Sequence, residues 1–366
     1  MRFTLSLSLL YLAILLGPTR AGHVITLRSP NLFPESFKWD PHTQTFLVAS
    51  TRRPSILSVS DSGDLDPFIS DPDLPPDTSI LGIAIDAVNR RLLAVIHALP
   101  GFPPFNALSS YDLSRPPHYP RHFFTPLPDP TNPPRPIAND VAVDASGNAY
   151  VTNSASNFIW KVDMDGQASI FSNASVFHGH PIYHDKPGNW CGLNGIANVP
   201  GSDDVGNGFF LAVQSNTGKM YKIDGEDGTA QMVRLSKDLT GADGMAIRSD
   251  GMVVVVAHHT AWYLKSRDGW DGAKIHDEIA LEVDKFPTAV TVREGKRAYV
   301  LYGHMDEGML GNVEREEFSI EEIESREEND GEKAWILVLV GLGLAYFMWW
   351  RYQMSSLMKN MNKKRA

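Results

Sequence analysis

Between residues 34 and 303 short apolar runs alternate with turns rich in Gly, Asn and Asp. The clearest unit runs Asn139-Asp140-Val141-Ala142-Val143-Asp144, turns at Gly147-Asn148, and continues as Ala149-Tyr150-Val151-Thr152-Asn153. It then passes through Ile159-Trp160-Lys161-Val162-Asp163 to Gly166 and ends near Ile170-Phe171. Alternating polarity in runs this short is the signature of strands, and no 3.6-residue periodicity suggests a helical solenoid. The phrase returns with starts at residues 35, 82, 139, 194, 243 and 288. Short strands and turns at a period of about 50 residues predict propeller blades of four strands each. The chain is therefore expected to be all-β, a six-bladed β-propeller over residues 22–310. The Pro-rich stretch Leu99 to Pro136 is expected as an insertion loop between blades two and three, and Gly179 to Cys191 as a second insertion before blade four.

The two ends depart from this pattern. Arg2 followed by the apolar run Leu5 to Leu16 and the small residue Ala21 predicts a cleaved signal peptide over 1–21. Ala334 to Trp350 carries no charge in 17 residues and has Trp335, Trp349 and Trp350 at its ends, so it predicts a transmembrane helix over 334–350. Before it, Glu314 to Lys333 holds ten acidic and three basic residues, and 311–333 is expected as an acidic stalk. After it, the tail 351–366 carries Arg351, Lys359, Lys363, Lys364 and Arg365 and no acid, which puts the tail in the cytosol and the body in a lumen. Lys363 and Lys364, third and fourth from the last residue, look like a dilysine retrieval signal read by coat machinery. The expected location is thus the endoplasmic reticulum membrane, type I.

Composition narrows the partners. With 43 acidic against 33 basic residues the net charge is −10, which argues against nucleic acid. The one cysteine, Cys191, cannot form an internal disulfide and is expected to be buried rather than reactive. Asn173-Ala174-Ser175 is a glycosylation acceptor that a lumenal body would expose.

The candidate chemistry lies at one phase of the repeat. The first strand of a blade lines the central channel, and four blades carry an oxygen-bearing residue at its start: Glu35, Asn139, Asn194 and Asp243. Any one of them could be an ordinary turn residue. Four at the same phase point to a shared site. Two carboxylates and two amide oxygens match a hard divalent cation such as Ca²⁺, which would offset the cost of burying them.

Four phrases carry a family resemblance: Glu35-Ser36-Phe37-Lys38-Trp39-Asp40, Ala138-Asn139-Asp140-Val141-Ala142-Val143-Asp144, Leu193-Asn194-Gly195-Ile196-Ala197 and Ala242-Asp243-Gly244-Met245-Ala246. In order and spacing they resemble the regucalcin/gluconolactonase group of calcium-dependent propellers, relatives of the strictosidine synthases and paraoxonases. The resemblance implies Glu35, Asn194 and Asp243 as metal ligands, and Asn139 as a fourth ligand or substrate-binding residue. It also implies hydrolysis of a lactone, ester or similar small molecule, with Asp243 doubling as general base. Two departures stand out. Ile137 occupies the place of an Arg that sugar lactonases carry, with Arg135 nearby, and Phe37 replaces a common Pro. A non-catalytic binding propeller with a structural ion is the alternative expectation. His178, His180, His184 and the pair His258-His259 are further polar candidates in loops.

Overall fold

The computed structural model describes residues 22–363, apart from 76, 100, 131–135, 183–190, 202–207 and 311–312; of the side chains at 309–310, 326–334, 336 and 359–363 nothing is said. Six four-stranded antiparallel sheets are arranged around an axis. Their innermost strands are Pro34–Asp40, Thr78–Asp86, Ala138–Val143, Leu193–Val199, Ala242–Ile247 and Pro287–Arg293. Each packs against the innermost strand of the next sheet, and Pro287–Arg293 returns to Pro34–Asp40, so the ring closes.

The alternating pattern explains the packing. Each sheet buries apolar residues on both faces, and the apolar side chains gather into clusters between neighbouring blades. Trp160, Val151 and Phe158 of blade three meet Leu93 and Leu108 of blade two. Tyr150 and Ile159, facing the other way, meet Phe210 and Tyr221 of blade four. The recurrent Val/Ile-Asp phrase also has a local cause. Asp40, Asp86, Asp144, Asp163 and Asp224 each accept a backbone N–H from the turn that follows, at His42, Asn89, Asn148, Asp165 and Glu226.

Three expectations are corrected. Leu99 to Pro136 is not a plain insertion: it holds strands Asn106–Asp112 and Arg121–Pro126, the third and fourth of blade two. Every residue of the first is buried, but the surrounding prolines mask the strand pattern. The segment 311–333 is not a stalk throughout, because Glu317–Ile323 is a strand of blade six. Glu317, Ser319 and Glu321 alternate with Phe318 and Ile320, which are buried against blade one, and the N-terminal strand Val24–Arg28 pairs on its outer side. The propeller thus runs from Val24 to Ile323.

The third correction concerns the C-terminus. Arg326–Lys363 is one helix, and among the described residues no helix is long and apolar enough to cross a membrane. The segment 1–21 and Lys364 lie outside the described residues, as do the side chains of Ala334 and Ile336 of the expected span and of Lys363.

Candidate functional site

Every innermost strand is broken at the same place. Its pairing with the second strand shifts register between Pro34 and Phe37, Ile80 and Ile83, Ala138 and Val141, Leu193 and Ile196, Ala242 and Met245, and Pro287 and Ala289. A bulge releases the extra residues from the ladder and re-aims their side chains. The first released residue is Glu35, Leu81, Asn139, Asn194, Asp243 and Thr288 in turn. Leu81 is buried yet belongs to none of the apolar clusters between blades, as suits a residue turned to the channel.

The second released residue ties neighbouring blades together. Ser36 Oγ accepts the N–H of Ile83, and Asp140 Oδ2 accepts that of Ile196. In blades two, four and five this residue is glycine, because the next backbone lies too close for a side chain. A Cβ on Gly195 would stand 2.3 Å from the carbonyl oxygen of Asp243, and one on Gly244 would stand 2.7 Å from Ala289 Cα.

All four sequence-predicted residues take ring positions, and side-chain interactions link them. The Asn194 amide lies close enough to the Asp243 carboxyl to favour its charged form. Asn139 donates from Nδ2 to Ser154 Oγ at 2.8 Å, and Asn194 donates from Nδ2 to Ser215 Oγ at 3.0 Å. Both amides also reach Cys191 Sγ, at 3.9 and 3.5 Å. Ser154 and Ser215 in turn donate to the carbonyls of Leu193 and Ala242, which fixes the two amides against the next blade.

The electrostatics are unbalanced. Glu35 and Asp243 touch the channel and so are only half-buried in surface, but protein encloses them. Burial first, then the negative charges of Asp243 and Asp140, holds the Glu35 carboxyl well above its usual range, with Lys38 opposing. Burial pushes Asp243 up to about 8, against the Asn194 amide and with added repulsion from Asp140. Burial also pushes the Cys191 thiol up to about 11, and the charges on Asp243 and Glu35 add to it. Asn139 is itself buried, and its Oδ1 has no hydrogen-bond partner among the described residues. An orphaned buried oxygen beside two enclosed carboxyls is a donor set that suits a hard cation. Among the described residues no group of three or more His, Cys, Asp or Glu could hold a metal; here two carboxyls are joined by amides instead.

Two site residues escape a reading of the sequence. Thr288 stands at the ring phase of blade six, and its Oγ1 is buried without a partner. The repeat phase could have found it. Cys191 was expected as a buried thiol, and it is buried, but nothing in the sequence puts it against both amides. The backbone does: Gly192 N–H donates to Ser154 O and Asn216 N–H to Cys191 O, clamping the end of the second insertion between blades three and four.

Among the described residues none of the remaining polar candidates hydrogen-bonds a residue of this ring. Asn173 is exposed, and its Oδ1 is 2.8 Å from His178 Nε2. His180 is exposed, and His184 and Arg135 lie outside the described residues. His258 follows the second strand of blade five, where Ser154 and Ser215 follow theirs, and its ring meets Phe286 edge-on at 3.8 Å. Phe37 packs into the cluster between blades six and one.

The class is thereby defined: a six-bladed β-propeller whose bulged inner strands present carboxyls and amides to one another. Solved structures of the same fold include the major allergen Mala s 1 of Malassezia sympodialis, 17% identical, with TM-score 0.66 over 82% of this chain and 96% of that one. A provisionally assigned gluconolactonase is 15% identical, with TM-score 0.53 over 84% and 94%. The PQQ-bound aldose sugar dehydrogenase of Streptomyces coelicolor is 15% identical, with TM-score 0.50 over 84% and 99%. At such identities the likeness is one of fold. No family model matches the chain, and no curated protein sequence matches it.

Proposed function

We propose that the chain is a metal-dependent hydrolase of the regucalcin/gluconolactonase kind, acting on a lactone, ester or similar small molecule. One observation carries the reading: among the described residues, Glu35 and Asp243 are enclosed together with no cation but Lys38 acting on them, and Asn139 Oδ1 has no partner. Glu35, Asn139, Asn194 and Asp243 would hold a Ca²⁺ or similar ion. When bound, such an ion supplies Lewis-acid polarisation of a carbonyl or phosphoryl oxygen. The protein's own part follows from the hydrogen bonds. The Asn194 amide favours the charged form of the Asp243 carboxyl, and Ser215 restrains Asn194. Asp243 is placed to accept a proton from a water, and a carboxyl tuned toward neutrality suits a general base.

Aryl esters and lactones, assayed with Ca²⁺ and with chelator, test this reading. Turnover that needs Ca²⁺ and is lost in Asp243→Ala supports it. A chain that binds the ion but turns over none of the panel is the non-catalytic binding propeller instead. Ile137, standing where sugar lactonases carry Arg, favours that second reading for sugar lactones.

The same proposal puts the propeller in the lumen of the endoplasmic reticulum. The exposure of Asn173 suits glycan attachment. Replacing Lys363 and Lys364 by Ser should release the protein to later compartments, and unchanged residence would refute retrieval by that signal.

A further inference from the structure

The sixth ring position has no role in the four-residue ion site. Thr288 fills it, between Asp243 of blade five and Glu35 of blade one. Its backbone carbonyl lies 3.0 Å from where a Cβ on Gly244 would be. Its methyl Cγ2 lies 3.1 Å from the equivalent point on Gly303, which is pressed against the Pro34 carbonyl just before Glu35. The residue is 1% exposed, and Oγ1 has no hydrogen-bond partner among the described residues. Ser110 Oγ, in the third strand of blade two, is likewise without a partner among the described residues, but hydroxyls beside the inner strands behave differently. Thr51, Thr152, Ser154 and Ser215 all donate to a backbone carbonyl. A buried hydroxyl without a partner is costly and calls for an explanation. Valine has nearly the same shape and would avoid that cost, so packing alone does not account for threonine.

We propose that Thr288 Oγ1 is a fifth oxygen donor to the axial site, contacting the bound cation directly or through one water held between Glu35 and Asp243. This rests on the proposed ion site and extends it from four blades to five. Oxygen donors are what hard cations such as Ca²⁺ take, in sets of six to eight. Two carboxyls, two amides, one hydroxyl and waters make such a set, with Leu81 closing the blade-two side.

The full chain in detergent, titrated with Ca²⁺ by calorimetry and melted with and without chelator, tests the assignment. Thr288→Val should weaken Ca²⁺ binding about tenfold, the effect of one lost polar contact. In chelator its melting midpoint should equal or exceed that of the wild type, because the orphaned hydroxyl is gone. Thr288→Ser should retain most of the affinity. A structural hydroxyl gives the opposite result: Thr288→Val melts lower in chelator and binds Ca²⁺ unchanged, which overturns the assignment and leaves the four-residue site standing. Should the valine variant not fold, Thr288→Ala removes the same oxygen and is read against Thr288→Ser for Ca²⁺ affinity. A wild-type chain that binds no Ca²⁺ sinks the ion site and the assignment with it.

Discussion

Asp140 Oδ2 accepts the backbone N–H of Ile196 across the blade boundary at 3.1 Å, while its Oδ1 accepts that of Val141 at 2.9 Å. One buried carboxylate thereby satisfies the amides of the two residues that follow the bulges of blades three and four. Asp140→Ala would strand both, and each buried orphan costs about 1–3 kcal/mol. Asp140→Asn keeps one acceptor oxygen and should lose less. Urea unfolding of the two variants should rank them in that order. Equal loss would mean that charge, not amide satisfaction, is what Asp140 supplies.

The carboxyls on the axis make stability depend on pH in an unusual direction. Burial raises Asp243 from 3.8 to about 8 in the folded chain, so the folded state binds the proton more tightly than the unfolded state. That stabilisation is complete below the unfolded value and is lost as pH rises through the folded one. In chelator, the melting midpoint should therefore fall as pH rises from about 4 to about 8. Asp243→Asn should flatten the fall, and Ca²⁺ should offset it by neutralising the ionised pair. A midpoint that climbs over this range in chelator would contradict the enclosure of these groups.

Much of this was legible in the sequence, for local reasons. All six inner strands begin within a few residues of the repeat starts, because each carries its own glycine or polar bulge, and those of blades one, two and three end in an Asp turn. Pairing between distant segments left weaker traces. Glu317–Ile323 looks like a charged spacer when read alone; only its partner, Val24–Arg28, makes sense of Phe318 and Ile320. Asn106–Asp112 is hidden by flanking prolines although it is buried throughout. At the site, the phase of the repeat pointed to the four polar ring residues. The orphaning of the Thr288 hydroxyl and the clamp on Cys191 are three-dimensional facts with no local signal.

Gly195 is a sharp steric constraint between two ring residues, Asn194 and Asp243. An alanine methyl there would lie 2.3 Å from Asp243 O and 3.0 Å from Met245 N, both backbone atoms. Relief requires the inner strands of blades four and five to separate. Gly195→Ala should cost about 1–3 kcal/mol or more, as overpacking does. It should also weaken Ca²⁺ binding, since Asn194 and Asp243 move apart. Gly251→Ala, at an open turn with nothing near its Cβ but φ at +78°, should cost stability through backbone strain alone and leave ion binding unchanged. Calorimetric titration of the pair separates the two effects.

The ring is closed by the first strand and the last, and a truncation series can test that. Val24 to Arg28 pairs with Glu317 to Glu321, and Leu27, Phe318 and Ile320 are buried together between blades six and one. Beyond the strand, Ile323 O accepts the Tyr263 hydroxyl at 3.0 Å, and Ser325 Oγ donates to Asp277 Oδ2 at 2.9 Å. A chain ending at 325 keeps every one of these contacts and loses only the helix. A chain ending at 310, where the repeat pattern places the last apolar run, exposes the face of Leu27 and leaves the outer edge of Arg297–Tyr302 unpaired. Burying a side chain such as Leu27 or Ile320 is worth about 1.5–3 kcal/mol each. Losing three of them together would remove much of the ~5–15 kcal/mol that stabilises a typical domain. The 22–325 chain should melt cooperatively within a few degrees of the full chain by circular dichroism. The 22–310 chain should melt broadly or aggregate. Equal cooperativity in both would mean that five blades and an incomplete sixth suffice, and that Val24–Arg28 does not fasten the ring.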